Sequence, residues 1–172
     1  MCITGCLGYR EMIARFGQFG ASQTSTQAGA DLVGGAMDDT LVASGGGSTL
    51  RGGRGDDILL GGGGNNTYAF AWGDGRDRLV DTSPRSDATG TPLPNTLRFG
   101  AGIAAADLRV RLEGNALVVA LGDDGAGGEV WIEGVSPENP LAAPIERFVF
   151  ADGSVLGLAE LLGDGYAGTE AD

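Results

Sequence analysis

The sequence predicts an all-β protein in which a stacked coil of short parallel strands is followed by an antiparallel β-rich region. Three features of the chain favour this fold class. Apolar residues recur at every ninth position between residues 32 and 68. Glycine supplies 33 of the 172 residues and is concentrated between residues 34 and 64, and short alternating apolar segments follow from residue 108 onwards. A fixed period of this length is typical of repeat architectures rather than of disorder.

The repeat places one apolar residue at the same point of each nine-residue unit. These residues are Leu32, Leu41, Leu50, Leu59 and Tyr68. Each unit opens with small residues, as in GGRGDDILL at 52–60, where six residues turn and three extend. Three residues of strand place only the middle side chain inward, so we expect the apolar residues to stack as a ladder. Two units then complete one circuit, and each turn lies on the turn 18 residues away.

The charge of the chain favours a cationic partner. The 11 basic and 23 acidic residues give a net charge of −12, which repels nucleic acid and anionic lipid. There is no His, and every basic residue is Arg. This composition excludes Ser-His-Asp and Cys-His catalysis, His-ligated zinc and lysine-dependent chemistry, and the chain has no G-x-S-x-G motif. No segment reaches the roughly 20 apolar residues of a membrane span.

Residues 1–28 do not follow the nine-residue pattern. Apolar residues at helical spacing predict a short helix over 9–19, weakened by Gly17. The segment ITGC at 3–6 matches a lipoprotein cleavage box superficially, but no apolar run precedes it. We therefore interpret Cys2 and Cys6 as incidental thiols and residues 1–28 as a segment of unassigned role.

The units resemble the glycine-rich nonapeptide repeats of RTX, or haemolysin-type, calcium-binding proteins, whose pattern GGxGxDxUx is matched by GGRGDDILL at every defined position. FAWGDGRDRLVDT at 70–82 is similar to the segment that often closes such repeats. Residues 95–123 and 145–155 resemble the haemolysin-type-associated β domain that commonly follows. The resemblance implies a parallel β-roll over 29–82, a β-rich cap over 83–157 and Ca²⁺ held between stacked turns.

The resemblance further implies one well-formed calcium site, because calcium takes six to eight oxygen ligands and accepts backbone carbonyls. The turn 34–39 is expected to lie over the turn 52–57, so that Asp39 and Asp57 face one ion. The candidate carbonyl ligands are those of Gly34, Ala36, Asp38, Gly52, Arg54 and Asp56. An ion between the turns would explain why adjacent carboxylates occur in a glycine-rich stretch. The alternative is that these aspartates are solvated turn residues, since Asp and Gly both favour turns.

The other turns depart from the pattern. Ser48 over Asn66 offers neutral oxygens only, and Asp31 is expected to pair with Ser48 if its turn is one residue short. Met37 replaces a glycine, which predicts strain where positive φ is usual. Asp77 occupies the next ninefold position, which predicts that the roll has ended there, although Asp57 has Asp74 or Asp77 as a further neighbour. We therefore expect one to three ions rather than a complete row.

Downstream of the repeats, alternation predicts a hairpin of residues 108–112 and 116–121, then strands at 129–133 and 146–150. This β region is expected to cap the open end of the roll with an apolar core of its own. In EVWIE, Glu129, Trp131 and Glu133 share one face. A pair of carboxylates beside an aromatic residue is found in sugar-binding and glycosidase sites, but a strand with one solvated side explains it better.

The acidic tail, residues 158–172, overlaps a short apolar helix candidate, LGLAELL at 156–162. It is compatible with the C-terminal signal of type I secretion, which the resemblance implies, and equally with a frayed acidic terminus. The expected function is a non-enzymatic calcium-binding module that folds outside the cell, as the C-terminal part of a protein exported by a type I secretion apparatus. Two alternatives remain: the non-catalytic domain of a secreted hydrolase, and a structural or adhesive segment of a large surface protein.

Overall fold

The computed structural model of the chain describes residues 20–82, 88–123 and 125–165. Its strands are β1 (Ser22–Ser25), β2 (Asp31–Val33), β3 (Thr40–Ala43), β4 (Thr49–Arg51), β5 (Ile58–Gly61), β6 (Thr67–Phe70), β7 (Arg76–Asp81), β8 (Thr96–Phe99), β9 (Leu108–Glu113), β10 (Ala116–Leu121), β11 (Glu129–Glu133), β12 (Arg147–Val149) and β13 (Val155–Gly157). Two 3-10 turns, Ala105–Asp107 and Pro140–Ala142, and one helix, α1 (Leu158–Gly165), complete the described elements.

The first eight strands wind as a flat coil and confirm the predicted parallel β-roll. Odd-numbered strands stack in one sheet in the order β1-β3-β5-β7, and even-numbered strands stack in the other as β2-β4-β6-β8. Leu41 lies opposite Leu59, and Leu32 lies opposite Leu50, at the expected spacing of two units. All five ladder residues are buried between the two sheets. The ladder removes apolar area from water along the whole coil, which is the main favourable contribution to its folding.

The coil extends beyond both ends of the nonapeptide pattern. At its start, β1 pairs with β3 and places Gln23 opposite Leu41, so parallel stacking begins before residue 29. At the other end, the prediction that the roll ends at Asp77 is wrong. The strand β7 pairs with β5 and brings Leu79, two residues later than the period predicts, into the ladder opposite Leu59. Leu97 then lies opposite Tyr68.

The C-terminal strands continue the two sheets of the roll. The predicted hairpin is confirmed as antiparallel β9 and β10, and β10 pairs with β11 in the same sense. However, β11 pairs in parallel with β7, and β12 pairs in parallel with β8. Roll and cap therefore share one apolar core, which contains both Leu59 and Leu117. The prediction of a separate core for the cap is wrong, because the parallel pairing extends both sheets.

Several predictions concern the ends of the chain. The helix expected over 9–19 and the two cysteines lie outside the described residues, as do the last residues of the acidic tail. The predicted C-terminal helix is present as α1, which packs on β9 and β13 through Leu158 and Leu161. Within the part of the chain that the structure describes, no helix has the length and apolarity needed to cross a membrane.

Candidate metal-binding edge

The turns that lead into the odd-numbered strands lie above one another along one side of the roll. Each ends in a buried aspartate, Asp39, Asp57 or Asp77, two residues before a ladder leucine. We call the turns 34–39, 52–57 and 71–77 the acidic edge. The fold brings these three carboxylates into one column because each precedes the same point of a stacked strand.

A repeated hydrogen bond fixes the column. The N–H of Asp39 donates to Oδ1 of Asp57 at 2.7 Å, and the N–H of Asp57 donates to Oδ1 of Asp77 at 3.2 Å. The N–H of Ala21 donates to Oδ1 of Asp39 in the same way. One oxygen of each carboxylate therefore satisfies a backbone donor of the preceding turn, which links neighbouring turns and orients the side chain.

The second oxygens of Asp57 and Asp77 have no such partner. Both side chains are fully buried, and neither Oδ2 atom accepts a hydrogen bond from any described residue. The matching atom of Asp39 accepts from the N–H of Gly35. A buried carboxylate oxygen without a donor costs free energy, so these two atoms indicate a missing positive partner.

The pKa values of Asp57 and Asp77 also indicate a missing cation. Burial raises the pKa of Asp57 to about 6; the hydrogen bond from the backbone of Asp39 lowers this pKa, while the carboxylate charge of Asp39 raises it. Burial and then the charge of Asp57 raise the pKa of Asp77 to about 8. Without a cation, the folded roll therefore disfavours the charged forms that both residues have in water.

Glycine allows the oxygens of the acidic edge to lie directly against the backbone of the turns. A Cβ at Gly52 would overlap Oδ2 of Asp57, and a Cβ at Gly34 would overlap both Oδ2 of Asp39 and the carbonyl oxygen of Gly52. Carboxylate and carbonyl oxygens thus converge beside Cα atoms that carry no side chain. Among the described residues, no three Asp, Glu, Cys or His side chains form a metal-binding group. The arrangement fits an ion held largely by backbone oxygens, and calcium accepts this donor set.

The remaining predicted ligands take two different positions. Asp38 and Asp56 expose their side chains, and their Oδ1 atoms accept from Asp56 N–H at 2.8 Å and Arg76 N–H at 2.9 Å respectively. These carboxylates form a second, outer column and do not point into the roll. The carbonyl groups of Ala36, Asp38, Arg54 and Asp56 lie in the turns of the acidic edge, and their role as ligands remains a prediction.

Two expectations about the turns are wrong. Asp31 does not pair with Ser48, because it begins β2 with its side chain outside the roll, where its Oδ1 lies 3.7 Å from Arg51 Nη2. Met37 introduces no positive-φ strain, since Asn65 is the only non-glycine residue with positive φ in the described part of the chain. Its side chain is exposed instead.

Asp77 joins the aspartate column as a neighbour of Asp57, although the nine-residue period places it at the apolar ladder position. The insertion of two residues in the turn 71–77 shifts it out of register, so that simple counting assigns it to the apolar ladder. A different signal was available, because Asp39, Asp57 and Asp77 each stand two residues before a leucine. Asp74, the other residue considered, has its Oδ2 engaged within its own turn by the N–H of Ala71 at 2.7 Å.

The opposite side of the roll, which we call the neutral edge, comprises the turns 25–30, 43–48 and 61–66 and the segment that ends at Asn95. Its column contains the uncharged residues Ala30, Ser48, Asn66 and Asn95. The N–H of Ser48 donates to Oδ1 of Asn66 at 3.0 Å, and the N–H of Asn66 donates to Oδ1 of Asn95 at 2.8 Å. The amide oxygens thus make the same turn-to-turn bond as the carboxylates.

The face of β11 that suggested a sugar site is occupied by ion pairs. Oε2 of Glu129 accepts from Trp131 Nε1 at 3.0 Å and from Arg76 Nε at 3.2 Å, and Oε1 accepts from Arg111 Nη2 at 2.8 Å. Burial works against ionisation, but these bonds and the arginine charges lower the pKa of Glu129. A carboxylate held in its charged form is poorly suited to act as a general acid.

The stacked turns, the buried aspartate column and its unpartnered oxygens together define a metal-binding β-roll. The family model of the RTX calcium-binding nonapeptide repeat matches residues 33–68 in four copies. The chain therefore contains an RTX, or haemolysin-type, β-roll, and Ca²⁺ is the ion that these repeats bind. Such repeats are a non-catalytic kind of module. Asp77 lies beyond the matched residues.

A solved structure supports the same fold. The chain is similar to the extracellular lipase LipA from Serratia marcescens, with 32% sequence identity and a TM-score of 0.52. The similarity covers 69% of this chain and 18% of the lipase chain. This chain thus corresponds to less than a fifth of that protein. A search of curated protein sequences finds no significant match.

Proposed function

We propose that this chain is a calcium-dependent folding module of a secreted protein, and that its acidic edge is where calcium controls folding. The observation that carries this proposal is the pair of buried oxygens, Asp57 Oδ2 and Asp77 Oδ2, which lack a hydrogen-bond donor among the described residues. They lie between stacked glycine-rich turns whose backbone oxygens complete a donor set for calcium.

Two intervals separate the three turns of the acidic edge, and each is a proposed calcium position. Asp39 and Asp57 border the first interval, as the sequence predicts, and Asp57 and Asp77 border the second. Backbone carbonyls of Gly34, Ala36, Gly52 and Arg54 are proposed to contribute further ligands. A bound calcium ion supplies the positive charge that compensates the buried carboxylates.

The same residues couple binding to folding. In the unfolded chain the aspartates are solvated and the glycines have a large conformational entropy, so ordering the turns without a counter-charge is unfavourable. A ligand that binds only the folded form stabilises it by mass action. Extracellular calcium modules bind with dissociation constants on the order of 10⁻⁴ to 10⁻³ M. Such sites would be empty in the cytoplasm and filled outside the cell.

Calcium-dependent folding would be useful to a secreted protein. A chain that stays loosely folded in calcium-poor cytoplasm can pass through a type I secretion channel and fold on release. The RTX repeats and the similarity to an extracellular lipase support an extracellular location for the protein. We propose that the strands after β8 are the haemolysin-type-associated β cap and that the acidic tail contains the secretion signal.

A calcium titration of chelator-treated protein, followed by far-UV circular dichroism, tests the proposal. We expect a transition to β structure at submillimolar to millimolar calcium and none at the same concentrations of magnesium, which demands a small octahedral site and keeps its waters. A spectrum that is already β-rich in chelator and does not change with calcium would overturn the switch.

The similarity to a lipase favours a second candidate, in which this region is the non-catalytic part of a secreted hydrolase. Because this chain lacks His, it cannot contain a Ser-His-Asp or Cys-His catalytic site. The catalytic residues of such an enzyme would therefore lie outside this chain. The test is to sequence the genomic region around the reading frame. A contiguous catalytic domain would support this candidate, whereas repeated adhesive domains would favour a structural segment of a surface protein.

A further inference from the structure

The sixth residue of each turn has a different hydrogen-bonding capacity on the two edges of the roll. On the neutral edge, the side chain donates to the carbonyl oxygen three residues earlier: Ser48 Oγ bonds to Gly45 O at 2.9 Å, and Asn66 Nδ2 bonds to Gly63 O. On the acidic edge, the equivalent carbonyls belong to Ala36 and Arg54. Asp39 and Asp57 cannot donate to them, because an ionised carboxylate only accepts hydrogen bonds.

We infer that the hydrogens of Ser48 and Asn66 replace calcium on the neutral edge, so that the ion is required on the acidic edge alone. The inference rests on the proposed function, and it assigns to the sixth residue the choice between an ion-dependent and a self-satisfied turn. The Asn66 amide supplies both parts of the connection: its oxygen accepts from the N–H of the preceding turn, and its Nδ2 donates to the carbonyl of its own turn. The Ser48 hydroxyl supplies the bond within its own turn. Aspartate supplies only the first part, and the cation supplies the second.

The backbone of the turns supports this division. The neutral-edge turns have positive φ at their fifth residue, with values of 72° at Gly47 and 67° at Asn65. The acidic-edge turn 52–57 has positive φ at its second and fourth residues instead, 99° at Gly53 and 121° at Gly55. Neither acidic-edge turn of the nine-residue repeats, 34–39 or 52–57, has positive φ at its fifth residue. The two edges therefore differ in backbone conformation as well as in the identity of one side chain.

The surroundings of Asn66 also indicate a donor role. Besides bonding to Gly63, its Nδ2 lies 3.2 Å from Oδ2 of Asp81, which accepts a hydrogen bond of 2.6 Å from the Tyr68 hydroxyl. Asn66 and Tyr68 are fully buried, and Asp81 is nearly so. The neutral edge thus satisfies a buried carboxylate with hydrogen bonds from side-chain donors, whereas Oδ2 of Asp57 on the acidic edge lacks any described donor.

Two sets of variants test the inference. On the acidic edge, Asp57→Asn adds a donor of the same shape, and Asp57→Ala is its matched control without donor or acceptor. On the neutral edge, Ser48→Ala and Asn66→Ala remove the donor, and Asn66→Ser retains one, as Ser48 does. The number of calcium ions bound is measured by equilibrium dialysis, and the β content in chelator and in calcium by circular dichroism.

We expect Asp57→Asn to bind fewer ions than the wild type while showing more β structure in chelator than either the wild type or Asp57→Ala. The Ser48→Ala and Asn66→Ser variants should bind the wild-type number of ions, and so should Asn66→Ala wherever it folds. Loss of an ion from a folded Ser48 or Asn66 variant would overturn the inference, because it would make the neutral edge a binding site.

Equal β content of Asp57→Asn and Asp57→Ala in chelator would also overturn it, because the amide would then fail to replace the ion. Failure of the proposed function gives a different result. In that case the wild type itself binds no calcium, while Asp57→Asn still exceeds Asp57→Ala in chelator if the donor role of the sixth residue is correct.

Discussion

The backbone N–H of Asp57 donates a hydrogen bond of 3.2 Å to Oδ1 of Asp77, which lies 20 residues further along the chain. The same bond joins Asp39 and Asp57 across 18 residues. Two extra residues in the turn 71–77 are therefore accommodated without breaking the column. The acidic edge therefore extends beyond the matched repeats, into the segment where the nine-residue period ends.

The double substitution Asp39→Ala with Asp57→Ala should abolish most calcium-dependent ordering. It removes two of the three buried carboxylates of the acidic edge, and loss of direct ligands should weaken calcium binding by more than the roughly 10- to 100-fold typical of outer-shell changes. Isothermal titration calorimetry measures the effect. Ser48→Ala is the control, with unchanged calcium affinity. Equal effects of the two changes would contradict the assignment of the site to the acidic edge.

Asp77→Asn should reduce the number of bound calcium ions by one. The substitution preserves the shape of the side chain and the acceptor for Asp57 N–H but removes the charge beside the second interval. The exposed Asp123, whose side chain is 89% accessible, offers a matched control in Asp123→Asn. That change alters the net charge equally and should leave binding intact, because exposed ion pairs contribute little. Wild-type stoichiometry in Asp77→Asn would confine the ions to the matched repeats.

Metal-free protein should become less stable as the pH rises from 4 to 8. The folded-state pKa values of about 6 for Asp57 and about 8 for Asp77 lie above the ordinary aspartate pKa of 3.8. Each residue therefore contributes stability that is fully present below pH 4 and lost as the pH rises through its folded pKa. Urea unfolding in chelator at several pH values measures this trend. Stability that increases between pH 6 and 8 would contradict the burial of uncompensated carboxylates.

Calcium binding should show the reciprocal effect. Binding requires the ionised carboxylates, so the apparent calcium affinity should increase up to about pH 8, which is the pKa of Asp77 in the folded metal-free chain. Binding below that pH should release protons. Calorimetry in buffers with different ionisation enthalpies measures the number of protons released. Asp77→Asn should release fewer protons than the wild type at pH 7. An affinity that is independent of pH would show that neither carboxylate titrates on binding.

Gly52→Ala should weaken calcium binding by displacing the carboxylate of Asp57. Gly52 does not have positive φ, so the effect arises from overlap of the new methyl group with Oδ2 of Asp57. Gly55→Val should damage the roll even at saturating calcium, because Gly55 has φ of 121° and a Cβ would lie 2.6 Å from the carbonyl carbon of Met37.

Gly29→Ala is the control for both glycine variants. Gly29 has φ of 70°, but a Cβ added there would have no described atom within 4 Å apart from those of its two chain neighbours, so alanine introduces backbone strain without overlap. Its cost should be about 1 to 2 kcal/mol, with unchanged calcium stoichiometry. Thermal unfolding with and without calcium compares the three variants. An unchanged melting temperature for Gly55→Val would contradict the turn conformation.

Much of the roll could be predicted because its regularity is local. Leu41 and Leu59 occupy the same position of their nine-residue units, so the period is sufficient to place them in one ladder. The stacking of Asp39 and Asp57 follows from the same period. The strand Glu129–Glu133 was also predictable from its alternation, but its parallel pairing with β7 was not, because strand propensity does not specify a partner.

The sequence by itself determined the ladder, the glycine-rich turns and the charge difference between the two edges, since each depends on residue type and spacing within one or two units. Only the tertiary structure decided that Asp77 joins the acidic edge, that Leu97 succeeds Tyr68 and that roll and cap share one core. Insertions break the period at these points. Long-range backbone pairing and the burial of apolar side chains then set which residues meet, and neither can be read from spacing along the chain.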